Sequence, residues 1–165
     1  MTGLLGVDLG EKRIGIALAE DAQSSARPLV TLRRGRTPDV DAEALRPLIE
    51  THGIAELVVG LPLEAAGQEG TQAALTRAWT EAILPILAVP VTLRDERLTS
   101  HLAETRLGPM KRGRSGGPPT KTQRDAYRAR VDREAAAIIL QDELDTRAGR
   151  RASMTRTPDP QETSR

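Results

Sequence analysis

The chain has 165 residues, two aromatics (Trp79 and Tyr127), no cysteine and no phenylalanine, and its 24 Lys+Arg against 23 Asp+Glu leave a formal net charge of +1. The length suits one domain with its own core. With no cysteine, a disulfide framework and any Cys-ligated zinc or Fe–S site are excluded, and so few aromatics argue against binding single strands on stacked aromatic platforms.

The opening MTGLLGVDLGEKRIG mixes acids and lysine with apolar residues, so it reads as neither a signal peptide nor a span. No apolar run nears the roughly 20 residues a spanning helix needs, and the expectation is a soluble, cytoplasmic protein. Leu4 to Leu9 is an apolar strand with one carboxylate, Asp8, inside it. After a Gly10-Glu11-Lys12 turn, Ile14, Ile16 and Leu18 alternate with Gly15, Ala17 and Ala19, the period of a strand. Pro28 to Leu32 is a third strand, and the short turns predict antiparallel hairpins. Thr37-Pro38 starts a helix, with Thr37 as N-cap, and Gly53 ends it. Glu56 to Gly60 reads as a buried strand, Thr71 to Leu84 as a helix stopped near Pro85, and Val89 to Leu93 as a fifth strand. Thr99 to Leu107 is a short helix and Gln123 to about Thr146 the last one. Between them, residues 108–121 hold Gly, Pro and basic residues and read as a mobile loop.

Three antiparallel strands followed by alternating helices and strands predict an α/β domain. It is a mixed five-stranded sheet, three antiparallel strands then two parallel, with helices on both faces. That order fits the ribonuclease-H-like fold. Residues 1–146 would form this domain. Residues 147–165 have almost no apolar content and read as a disordered basic tail, with Arg147, Arg150, Arg151 and Arg156 solvated.

The net charge hides a segregation. From Arg36 to Glu104 acids outnumber bases. From Arg106 to Arg130, eight bases (Arg106, Lys111, Arg112, Arg114, Lys121, Arg124, Arg128, Arg130) face one acid, Asp125. Distribution steers a charged ligand more than the sum does.

Three acids stand out. Asp8 sits mid-strand, where an unpaired carboxylate is expensive to bury; its blander reading is the start of a turn. Asp95-Glu96 closes the fifth strand, at the end of an α/β sheet where ligand sites concentrate; alone, the pair reads as helix N-terminal acids. Asp132 shares a helical stripe with Ala135, Ala136 and Ile139, so it faces the sheet unless Arg130 or Arg133 claims it. Brought to one end of the sheet, such carboxylates repel and need a cation. Oxygen ligands without His or Cys suit magnesium or manganese. Two such ions can clamp the attacking and leaving oxygens of a phosphodiester. The basic loop beside them would then meet phosphates. His52 and His101 read as surface or helix-end residues, and Trp79 as core.

The segments GVDLGEKRIGIALA (6–19), ARPL (26–29), VVGLPL (58–63), DERLTS (95–100) and VDREAAAIILQ (131–141) resemble, in order, the YqgF/RuvX family of pre-16S rRNA nucleases and Holliday junction resolvase-like proteins. The resemblance implies a ribonuclease-H-like fold and a two-metal site. By motif, Asp8, Glu96 and Asp132 would hold Mg2+ or Mn2+ and be catalytic, with Glu96 preferred over Asp95. It also implies a role in maturing the 5′ end of 16S rRNA, with branched DNA as a second proposed substrate. Thr99 stands where the family usually has Ser, and the tail has no family counterpart. Lys12, Arg13 and Arg97 flank the acids and could hold the scissile backbone. Lys111, Arg112, Arg114, Lys121, Arg124, Arg128 and Arg130 would extend the track. No membrane partner is expected, and monomer and homodimer both stay open. Two other readings are kept: a single-domain nucleotide-binding protein of the actin/hexokinase-like phosphate-loop type, and a non-catalytic RNA-binding ribosome assembly factor.

Overall fold

The computed structural model describes residues 1–64, 66–96, 99–113 and 115–155. Its strands are β1 (Gly3–Leu9), β2 (Arg13–Ala19), β3 (Arg27–Arg33), β4 (Ile54–Pro62) and β5 (Val91–Glu96), and its helices α1 (Pro38–His52), α2 (Thr71–Leu87), α3 (Thr99–Leu107) and α4 (Lys121–Thr155). They form one sheet in the order β3-β2-β1-β4-β5. β2 runs antiparallel to β1 and β3, while β4 runs parallel to β1 and β5. This is the mixed, ribonuclease-H-like arrangement that the element order predicts.

Alternation along the strands divides the core in two. Leu5, Val7 and Leu9 of β1 and Ile14, Ile16 and Leu18 of β2 face α1 and α2, where they pack with Leu45, Trp79 and Ile83. Leu4, Ala17, Ala19 and Val58 face the other way, against Ala136, Ile139 and Leu140 of α4. Each fully buried Leu or Ile contributes roughly 1.5–3 kcal/mol, so the two faces together fix the register. The α4 face is lined by small residues, and the helix lies close on it. A Cβ on Gly15 would collide with the carbonyl oxygen of Asp132.

Several boundaries differ from the sequence reading. Thr37 has the extended backbone of an N-cap, but its side chain makes no capping bond. The acids of the first turn, Asp39 and Asp41, suit the helix dipole there. Helix α2 continues through Pro85 to Leu87 and ends on Ala88 with a left-handed φ of 53°. A proline this near the end removes one backbone bond, while Ile83 and Leu87 are buried around it. β5 begins two residues later than predicted and ends on Glu96, so Asp95 and Glu96 lie within the strand.

The largest difference is at the C-terminus. Residues 147–155, predicted to be a disordered tail, are the last turns of α4. Ala, Arg and Met are good helix formers. The extension is also tied down: Arg147 donates to Glu56 of β4 at 2.9 and 2.6 Å and to Glu143 at 2.9 Å. Residues 156–165, including Arg156, lie outside the described residues. No helix among the described residues is long and apolar enough to cross a membrane.

Candidate functional site

Asp8 is the last residue but one of β1, and alternation turns it to the α4 side of the sheet. Its antiparallel partner is Gly15. Because Gly15 has no side chain, the backbone of Asp132 lies directly on it, which places Asp132 above the β1–β2 pair beside Asp8. Glu96 reaches the same region from the far side of β4. Its carboxylate occupies the space over Gly60, where a Cβ would run into it and into Ile139. Gly60 follows Val59, which pairs with Val7. Two glycines therefore make the room in which acids from β1, β5 and α4 come together. Asp95, the neighbour of Glu96, is exposed, as strand alternation requires.

The electrostatics match this placement. Burial, then the charge of Glu96, then that of Asp132 raise the Asp8 carboxyl well above its usual range. Burial pushes Glu96 up to about 7, against a hydroxyl bond from Thr99 that pulls it down. The threonine found where the family usually has serine thus keeps a hydroxyl on this carboxylate. Asp132 is compensated differently: its Oδ2 accepts a hydrogen bond from Arg13 Nε at 2.6 Å. Among the described residues, no three acidic or histidine side chains are grouped closely enough to hold one metal ion.

The predicted basic residues divide into groups. Lys12 and Arg13 stand at the β1–β2 turn, next to the acids. Lys121, Arg124, Arg128 and Arg130 are exposed along the first turns of α4. Arg124 also donates to the carbonyl of Pro119 at 2.6 Å. Lys111 and Arg112 are exposed on the segment between α3 and α4, whose start is held by Tyr127 Oη donating to the carbonyl of Gly108 at 2.9 Å. Arg97 and Arg114 lie outside the described residues.

One supporting cluster has no counterpart in the sequence reading. Asp41, 1% exposed, accepts bonds from Arg34 Nε at 2.9 Å, the Gly35 N–H at 2.7 Å and Trp79 Nε1 at 2.9 Å. Arg34 in turn donates to the carbonyl of Gly10 at 2.7 Å, in the turn that follows Asp8. A buried carboxylate of α1 thereby holds the β1–β2 turn beside the acids. The signal was present: Asp41 shares a stripe with Leu45 and Ile49, the same pattern that singled out Asp132.

Residues 2–146 match the RuvX family, described as Holliday junction resolvase. The chain belongs to this family. A relative from Anaeromyxobacter sp. (strain Fw109-5), named "Putative pre-16S rRNA nuclease", is 43% identical over 143 residues, covering 87% of this chain and 96% of its own. One of the same name from Chloroflexus aggregans (strain MD-66 / DSM 9485) is 38% identical over 144 residues, covering 87% and 94%. Among solved structures, T. thermophilus RuvC in complex with Holliday junction substrate is 16% identical, with 90% of this chain and 97% of that one covered and a TM-score of 0.48. All three acids fall inside the span matched to the RuvX family; residues 147–155 of α4 fall outside it.

Proposed function

We propose that this chain is a divalent-metal-dependent nuclease that hydrolyses phosphodiester bonds, acting in the 5′-end maturation of 16S rRNA, with four-way DNA junctions as a second substrate. The observation that carries the proposal is the meeting of Asp8, Glu96 and Asp132 at one end of the sheet, with Asp8 driven toward protonation by burial and the charges of Glu96 and Asp132, and Glu96 by burial. The relatives' printed name and the family description supply the substrate classes.

The donor set fits magnesium or manganese. It is all oxygen, with no His or Cys, and a cation would offset the burial of Asp8 and Glu96 and the repulsion that adds to it at Asp8. Asp8, Glu96 and Asp132 would be the ligands, with Asp8 between the other two. When bound, a pair of such ions supplies positive charge to the attacking and leaving oxygens of the phosphodiester. The chain's own cations do the holding. Arg13 can bond a phosphate through its guanidinium fork. Lys12, Arg97 and the basic residues from Lys111 to Arg130 would neutralise the backbone on either side. Thr99 orients the Glu96 carboxylate.

The test is cleavage of a 5′-extended 16S precursor and of a four-way junction, each with magnesium and then manganese. Wild type is expected to cut and Asp8→Asn to bind without cutting. Cleavage retained by a clean Asp8→Asn preparation overturns the assignment. ATP binding without cleavage supports the phosphate-loop reading, and precursor binding by wild type with no metal-dependent cleavage supports the assembly-factor reading.

A further inference from the structure

A groove of about 630 Å³ lies between the β2–β3 end of the sheet and the first turns of α4. One wall carries Arg33 and Arg34 from the end of β3; the other carries Lys121 from the start of α4. Lys12 and Arg13 line it where it approaches Asp8 and Asp132. Glu11 and Asp125 are the acids on its lining, so cations outnumber acids there. The floor is fixed because the Thr31 hydroxyl donates to the carbonyl of Ala129.

Its chemistry narrows what it can hold. Pockets for small organic molecules are mostly apolar and aromatic, whereas Leu32 and Ala129 are the only sizeable apolar residues on this lining. No aromatic side chain lines it: Trp79 is buried in the core and Tyr127 is bonded to Gly108. A base would have nothing to stack on. What the groove offers is charge. Arg34 is committed to Asp41, and Arg13 to Asp132. Arg33 and Lys121 are both exposed, and neither makes an ion pair with a described residue. The groove also ends where the acids begin, since Arg13 belongs to both.

We propose that this groove holds one strand of the substrate by its sugar-phosphate backbone as that strand leaves the acidic site, with Arg33 and Lys121 binding its phosphates from opposite walls. This deepens the nuclease reading and rests on it for the substrate class. It adds a binding residue, Arg33, that lies outside every basic stretch singled out in the sequence. It also makes Lys121 part of a defined channel and not of a diffuse basic surface.

The test is binding of a labelled four-way junction and of a labelled 5′-extended 16S precursor, by fluorescence anisotropy over a range of salt. The variant is Arg33→Ala with Lys121→Ala; Arg33→Gln with Lys121→Gln is the second version, should the first unfold. The control is Arg27→Ala with Arg150→Ala, which removes the same charge from the opposite ends of β3 and α4. Each lost phosphate contact lowers the log–log salt slope by about 0.7–0.9. The groove variant should therefore lose about 1.4–1.8 from its slope and bind roughly 25–60-fold more weakly at 0.1 M salt, converging on wild type near 1 M. The control should keep the wild-type slope. An unchanged slope in the groove variant, or an equal loss in the control, overturns the channel. Wild type that binds and cuts alongside an unaffected groove variant leaves the nuclease reading standing without it. Wild type that binds but never cuts, with the groove variant impaired, leaves the channel standing without the nuclease. Wild type that binds neither probe overturns both.

Discussion

Replacing Asp41 by alanine should destabilise the fold more than any surface change, and the structure sets the size of the effect. The carboxylate accepts three bonds, from Arg34, Gly35 and Trp79. Trp79 is 3% exposed, so its indole N–H is left in the core without an acceptor, at about 1–3 kcal/mol. Arg34 keeps its bond to Gly10 but loses its counter-ion. Removing one member of a buried ion pair costs about 3–5 kcal/mol, and relief from desolvating the carboxylate is already contained in that range. For a chain of this size each kcal/mol moves Tm by about 2–4 °C, so a fall of roughly 6–20 °C is expected. Thermal unfolding followed by circular dichroism reads it. Arg77→Ala is the internal comparison, because its partner Glu69 is exposed and solvent screens such a pair. A Tm for Asp41→Ala within 2 °C or so of Arg77→Ala would falsify the account. The pair Arg34→Ala and Asp41→Ala should also be strongly non-additive, since each removes the same bond.

Three other outcomes are expected. Arg147→Ala should cost about 1–2 kcal/mol, a discounted figure because Glu56 is partly exposed. Arg147 holds Glu56 below its ordinary value of 4.5, so that stabilisation is present above about pH 4.5 and lost as pH falls through the lowered value; the gap between variant and wild type should close in acid. In EDTA, wild type should lose stability relative to Glu96→Gln as pH rises between 4.5 and about 7, because a group with a raised folded pKa favours the native state only while protonated; a pH-independent difference in Tm counts against the burial of Glu96. Gly15→Val should push α4 off the sheet at Asp132, costing about 1–3 kcal/mol and cutting cleavage about 100-fold if the acids move by 1 Å; unaltered cleavage well below Tm would show that Asp132 need not sit where Gly15 places it.

What could be read from the sequence was periodic. The two-residue alternation in Ile14, Ile16 and Leu18 located β2 and its buried face. The stripe through Asp132, Ala135, Ala136 and Ile139 showed that an acid faced the sheet. What was missed depends on partners distant in the chain. Arg147 looked like a solvated tail residue because composition does not reveal that Glu56, 91 positions away, waits across the sheet for it. The groove was invisible because Arg33 and Lys121 belong to different elements and share no spacing. Pro85 was read as a stop from its backbone chemistry alone, whereas the burial of Leu87 beyond it carries the helix through.

The arrangement of charge around the three acids ties these parts together. Three carboxylates in one small space cannot all remain ionised without compensation, and the chain compensates in two ways. Asp8 and Glu96, to which no described Lys or Arg is bonded, are pushed toward keeping their protons. Asp132 stays paired because Arg13 lies two residues from Gly15 on the same face of β2, within 2.6 Å of it. On the proposed reading, a cation takes the place of the protons and a substrate phosphate competes with Asp132 for Arg13. Cation and phosphate should therefore bind with mutual help, each raising the affinity of the other by the same factor. Manganese titrated by calorimetry should bind more tightly in the presence of Asp8-intact protein saturated with a non-cleavable junction than without it. Equal affinities would mean that Arg13 does not link the two.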